Sequence, residues 1–278
     1  MADVLGTAAQ TNEYKNAMPQ LGSLFKQLEK KDAKANITGY VKFRLMNARY
    51  AASLNAKDAD FDEIQEDWLE QLADFVGDYP QCEDAGEAMF DLAIGEEFQG
   101  NEKEAIGWYN KIIRNGNGGT VVQKARGAVN RLNAVGKPLQ IQGRDVRGKN
   151  IDTKDLKGRI VLVQYWATFS DASKADIKRI SKLNNQFGRR GFVPISISLD
   201  TDTNALQAYL TKNKVTWPVI YEKGGLNSRL ATQLGILTVP TMILIDEKGN
   251  CIDRNLQVNQ LETILEKQLA AKPNRNQR

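Results

Sequence analysis

Two hydrophobic periodicities divide the chain. From Met18 to about Leu132 apolar residues recur every three or four positions, whereas from Leu139 onward they form short continuous runs separated by longer amphipathic stretches. The first pattern belongs to helices that bury one face, the second to strands alternating with helices. Leu21, Leu24, Phe25 and Leu28 predict one helix, and Ile37, Tyr40, Val41 and Leu45 a second that reaches about Ala56. A third starts near Asp60 with Phe61, Ile64, Trp68, Leu69, Leu72 and Phe75 on one face. Gly77-Asp78-Tyr79-Pro80 ends it, because proline and the residue before it both resist helical geometry. Val121, Val122, Ala125, Val129 and Leu132 predict the last helix of this half, closed by the glycine and proline of Ala134-Val-Gly-Lys-Pro138.

In the second half, Leu139 to Ile151 predicts a strand pair turning at Gly148, and the Val-rich run up to Trp166 predicts a central strand over 159–166. A helix follows over about 171–188. Phe192–Leu199 predicts another buried strand, Asp200-Thr-Asp-Thr the cap of a helix over 204–212, and Trp217–Tyr221 a short strand. A short helix over 226–234, strands over 241–246 and 251–254 and a helix over 258–270 complete the series. The domain boundaries read from these patterns are a polar arm at 1–17, an all-α domain at 18–134, an α/β domain at 136–271 and a polar, disordered tail at 272–278.

Two segments carry more specific signals. Gly86 to Tyr109 places Ala93 and Ala105 where two helices would approach, Gly100 at the turn and Tyr109 where an aromatic fills the gap, and so resembles one tetratricopeptide-type helical hairpin. The other helices do not repeat it, so 18–134 reads as an irregular antiparallel array, either a scaffold or a concave protein-binding surface. The second segment is Val161-Leu-Val-Gln-Tyr-Trp166-Ala-Thr-Phe169-Ser170-Asp-Ala-Ser173: strand, polar turn, helix start. Together with Leu156-Lys-Gly158 before it, Val239-Pro240-Thr241 and Ile245-Asp-Glu-Lys-Gly249 after it, it is similar to the TlpA/ResA-like (redoxin) branch of the thioredoxin superfamily over about 136–271. The resemblance implies an α/β thioredoxin-like fold, a central mixed sheet with flanking helices, behind an all-α helical-hairpin domain.

That branch is one of thiol-disulfide oxidoreductases whose segment reads Trp-Cys-x-Pro-Cys. By this resemblance Ser170 and Ser173 stand where the two cysteines belong, and Asp176 where the branch often has a carboxylate. Gln164 stands at the buried acid of many thioredoxins. A hydroxyl supplies neither the attacking thiolate nor the resolving thiol, so no catalytic residue is expected here and Ser170 is expected to cap the helix. A Ser170–Lys174 nucleophile pair is the rival use, and would need a desolvated lysine. The family's cis-proline, here Pro240, and the residue before it, Val239, imply a groove with Trp166 and Phe169 that could dock an extended peptide. The expected reading is a non-catalytic protein-binding or assembly module; the alternative is a redox protein working through Cys82 or Cys251.

Composition narrows this further. The chain has 278 residues, no histidine and two cysteines, Cys82 and Cys251, so histidine-dependent nucleophilic and metal chemistry is excluded and no cofactor or metal is expected. No run approaches the roughly 18 apolar residues of a membrane span. The net charge of +4 hides an asymmetry, with 15 Lys/Arg against 21 Asp/Glu in 1–136 and 23 against 13 in 137–278. Asp58–Glu104 holds 17 acidic residues and one lysine, Lys103. Such a run suits a solvated helical face or docking to a basic surface. The basic excess has no recognition motif, so nucleic acid is not an expected partner. The family is generally exported, so a periplasmic or secreted location, with the signal outside this numbering, is favoured over a cytoplasmic one.

Overall fold

The computed structural model describes residues 1–11, 15–31, 34–116 and 119–269, so the expected tail at 272–278 lies outside the described residues. Two compact units divide the chain, Met1–Ala125 and Arg126–Arg278.

The first unit is helical: α1 (Ala2–Gln10), α2 (Ala17–Lys30), α3 (Ala35–Leu54), α4 (Phe61–Asp78), α5 (Ala85–Phe98) and α6 (Glu102–Asn115). A seventh helix, α7 (Gly119–Leu132), runs across the unit boundary. Helix α4 shows why these segments fold as they do. Asp60 accepts hydrogen bonds from the backbone N–H groups of Asp62 (3.1 Å) and Glu63 (3.2 Å), satisfying two of the orphan donors at the helix start, and Trp68, Leu72 and Phe75 bury the inner face. Helices α5 and α6 meet around fully buried Ala93, Ala105 and Tyr109. Gly100 supplies the left-handed turn at φ 82°, and Tyr109 donates from Oη to Glu97 at 2.7 Å.

Two expectations about this half need correction. Residues 2–10, expected within a loose arm, form α1, whose Ala2 and Leu5 pack against Leu21, Val41 and Leu45. Gly6 lies so close to α3 that a Cβ there would sit 3.1 Å from Arg44 Cγ, and Asp3 pairs with Arg44 at 2.9 Å. A nine-residue helix of small and polar residues has little pattern of its own, and tertiary contacts hold it. The expected boundary at 134–136 also lies further upstream, after Ala125. The second half of α7 packs within the C-terminal unit: a Cβ on Gly127 would meet Thr232 O at 1.9 Å, and Arg131 donates to Leu234 O at 3.1 Å.

The C-terminal unit alternates strands and helices. Its elements are β1 (Gln142–Arg144), β2 (Asn150–Asp152), β3 (Ile160–Trp166), α8 (Asp171–Phe187), β4 (Phe192–Ser198), α9 (Thr203–Asn213), β5 (Val219–Tyr221), α10 (Arg229–Gln233), β6 (Thr241–Ile245), β7 (Cys251–Asp253) and α11 (Val258–Leu269). Strands β1 and β2 pair antiparallel, and a five-stranded mixed sheet has the order β5-β4-β3-β6-β7. Strands β3, β4 and β5 are parallel, while β6 runs antiparallel to β3 and β7 to β6.

All seven residues of β3 are buried because both sheet faces are covered. Ile160, Leu162 and Trp166 face a core with α8 and α11, whereas Val161, Val163 and Tyr165 face a second core with Ile141, Ile151 and α10. Each fully buried Val or Leu contributes about 1.5–3 kcal/mol, so this strand anchors the unit. Pro194 is tolerated within β4 for a geometric reason. Ser196 N–H points to Pro218 O on the β5 side, so the nitrogen of Pro194 two residues earlier points the same way, where β5 has not yet begun.

Candidate functional site

Strand β3 ends at Trp166 and α8 begins at Asp171, which places a helix N-terminus beside the carboxyl end of a parallel strand. The four residues between are held by Asp200. This carboxylate, 2 % exposed, accepts hydrogen bonds from Thr168 N (2.8 Å), Thr168 Oγ1 (2.6 Å) and Ser198 Oγ (2.8 Å). The cap of α9 falls within the expected Asp200–Thr203 stretch: Asp202 accepts from Asn204 N and Ala205 N, while Asp200 turns back to the β3–α8 loop. Both aspartates fit a cap pattern, and only the adjacency of β3 and β4 reveals the second role.

Ser170 is the N-cap of α8, its Oγ accepting from Ser173 N–H at 3.2 Å. Lys174 pairs with Asp171 at 2.6 Å, so its ammonium is engaged by a carboxylate of its own helix. Hydrogen bonding from Lys174 lowers the Asp171 carboxyl below the usual aspartate range, and this charge favours the positive end of the helix. Ser173 is fully buried and its Oγ has no hydrogen-bond partner among the described residues, as is also true of Trp166 Nε1, Tyr209 Oη and Gln164 Nε2. Gln164 Oε1 accepts from Ser196 Oγ at 3.2 Å, and Ser196 Oγ in turn accepts from Trp217 Nε1 at 2.8 Å, so a buried chain of neutral polar groups occupies the sheet here. Asp176 is half-buried. Burial raises its pKa and Arg179 partly offsets this.

The expected groove residues do not share one exposure. The Val239–Pro240 peptide is cis, and the β3–β6 register pairs Tyr165 with Thr241, so Pro240 lies beside the Trp166 end of β3. Phe169 is 73 % exposed, and Val239 and Pro240 are half-buried. Trp166, expected to line the groove, has no exposed surface: its indole packs in the core against the Tyr209 ring, with centroids 5.3 Å apart. An alternating strand residue next to a turn can face the core or the surface, and packing chose the core.

Cys82 and Cys251 are both buried free thiols. Burial raises the Cys82 pKa and pushes that of Cys251 to about 11, with Asp253 adding to the rise. Neither is therefore a ready thiolate near neutral pH. The helical unit has a cavity of about 540 Å³. Arg44, Phe90 and Asp91 are among its lining residues. Among the described residues no cluster of three or more Cys, Asp or Glu could hold a metal ion, and no helix is long and apolar enough to cross a membrane.

A five-stranded mixed sheet, a helix starting at the carboxyl end of its central strand and a cis-proline beside that start define a thioredoxin-like domain, here preceded by an all-helical region. Within it, residues 135–253 match the model of the AhpC/TSA family. The chain is 27% identical over 108 residues to the thiol-disulfide oxidoreductase ResA of Bacillus thuringiensis subsp. konkukian, covering 39% of this chain and 61% of the relative. It is 24% identical over 104 residues to the thioredoxin-like protein YneN of Bacillus subtilis, covering 37% and 59%. It thus spans about three fifths of the length of these curated relatives. A solved thiol-disulfide oxidoreductase from Bacteroides fragilis superposes with a TM-score of 0.43 at 26% identity, covering 47% of this chain and 97% of that one.

Proposed function

We propose that the thioredoxin-like domain carries no thiol chemistry at α8 and serves as a non-catalytic protein-binding or assembly module, with Ser170 and Ser173 in the places of the family's redox cysteines. The observation that carries this reading is the use of the two serines: Ser170 caps the helix and Ser173 is sealed in the core, so neither presents a group for transfer. Exposed Phe169, with the Val239–Pro240 turn at the same end of the sheet, is the surface on which an extended peptide would add its backbone. The partner class is protein, engaged through this turn or through the helical array. The alternative, redox work by Cys82 or Cys251, is disfavoured by the burial and raised pKa of both thiols.

Insulin reduction driven by dithiothreitol tests the reading. The protein is expected to match the buffer rate, and the Ser170→Cys/Ser173→Cys variant to exceed it, because a thiol at a helix N-terminus ionises more readily. Turnover by the unaltered protein that disappears in Cys251→Ser or Cys82→Ser would overturn the proposal in favour of the alternative.

A further inference from the structure

Helix α4 presents an unusual outer face. Asp62, Glu63, Glu66, Asp67, Glu70 and Asp74 are all exposed, and at 100° per residue they fall within an arc of about 140° opposite buried Trp68, Leu72 and Phe75. None forms an ion pair among the described residues, where Asp78 with Lys42 is the ion pair of this helix. Asp62–Glu66, Glu66–Glu70 and Glu70–Asp74 are like-charge pairs at i,i+4, which destabilise an isolated helix. A face kept merely for solubility intersperses both signs; this one has no lysine or arginine at all.

Helix α8 offers the complement. Lys178, Lys182 and Arg189, the last in the turn just after the helix, lie on one line, with Arg179 beside them, and all four are exposed. No ion pair engages them among the described residues. Exposed Glu262 and Glu266 of α11, which packs against α8, form no ion pair with them among the described residues; Arg179 interacts electrostatically with Asp176 of its own helix. The basic line from 178 to 189 and the acidic face from 62 to 74 each span roughly 17–18 Å at 1.5 Å per residue. They match in length and oppose in sign.

We propose that the occupant of this acidic face is a second copy of the chain, its α8 line docking on α4. The interface joins different surfaces of the two copies, so it is heterologous and head-to-tail, and the pair keeps one free acidic face on one copy and one free basic face on the other for further association. The proposal is independent of the reading of Ser170 and Ser173. Opposite charges arranged along exposed faces steer association and make it salt-dependent.

Sedimentation velocity of the full chain across a concentration series, at low and high sodium chloride, tests this. The mean mass is expected to rise above the monomer's 31.0 kDa with concentration at low salt and to return to it at high salt. Glu66→Lys/Glu70→Lys/Asp74→Lys and Lys178→Glu/Lys182→Glu/Arg189→Glu are each expected to remain monomeric. Their equimolar mixture is expected to associate, because mixing restores one native pair of faces. Four results would overturn the proposal: a monomer at every concentration in low salt, a salt-dependent change of shape at constant mass, association that survives both reversals, or a mixture that stays monomeric.

Discussion

Ser170 and Ser173 sit three residues apart at one helix start, yet their removal is expected to act in opposite directions. Ser170 Oγ satisfies one of the four N–H groups that α8 leaves without a helical partner, through the bond from Ser173 N–H at 3.2 Å. Ser170→Ala is therefore expected to cost about 1 kcal/mol, within the 0.5–2 range of N-cap removals. Ser170→Asp is expected to recover this, because it restores the acceptor and adds charge at the favoured end. Ser173 Oγ is fully buried and unbonded, and an unsatisfied buried hydroxyl costs about 1–3 kcal/mol. Ser173→Ala removes that penalty and leaves a gap of a single oxygen, so the change is expected to be neutral or stabilising by up to about 1 kcal/mol. At this chain size 1 kcal/mol shifts Tm by roughly 2–4 °C. Urea unfolding, read through hydrogen exchange of the Ile177–Phe187 amides, isolates the response of this helix. Destabilisation by Ser173→Ala equal to that of Ser170→Ala would refute the assignment of the two hydroxyls.

Two further outcomes concern the helical unit. Burial, with Glu87 nearby, raises the Asp91 pKa to about 6, so the folded chain holds a proton that the unfolded chain releases near its ordinary value of 3.8. Stability is accordingly highest below about pH 4 with respect to this group and falls as pH rises through 6. Asp91→Asn is expected to stabilise the unit by about 2–3 kcal/mol at pH 7 and by almost nothing at about pH 3, measured as the difference between urea midpoints. Arg44 pairs with nearly buried Asp84 at 2.6 Å and with exposed Asp3 at 2.9 Å. Arg44→Ala, which strands the Asp84 carboxylate, is expected to cost about 2–3 kcal/mol, and Asp3→Ala less than about 1 kcal/mol in the same denaturation assay.

The sequence by itself determined the order of elements, α1 excepted, and the class of fold. Short apolar runs rich in β-branched residues read as two-sided strands, and period-3.6 stripes such as that of α4 read as helices, so β3, β4, β6 and α4 were legible locally. The cap at Ser170 was legible too, since capping depends on a side chain and the N–H three residues on. Tertiary structure decided what depended on distant partners. Helix α1 has too weak a pattern to declare itself and exists through Arg44 and Leu21. Within the Asp200–Thr203 cap stretch, the bond from Thr168 to Asp200 shows only once β4 is laid beside β3. Trp166 reads as a surface aromatic until the Tyr209 ring closes over it. Solvation follows the same division: the pKa of Asp91 is raised to about 6 by its burial and by Glu87, which the residue type alone does not decide.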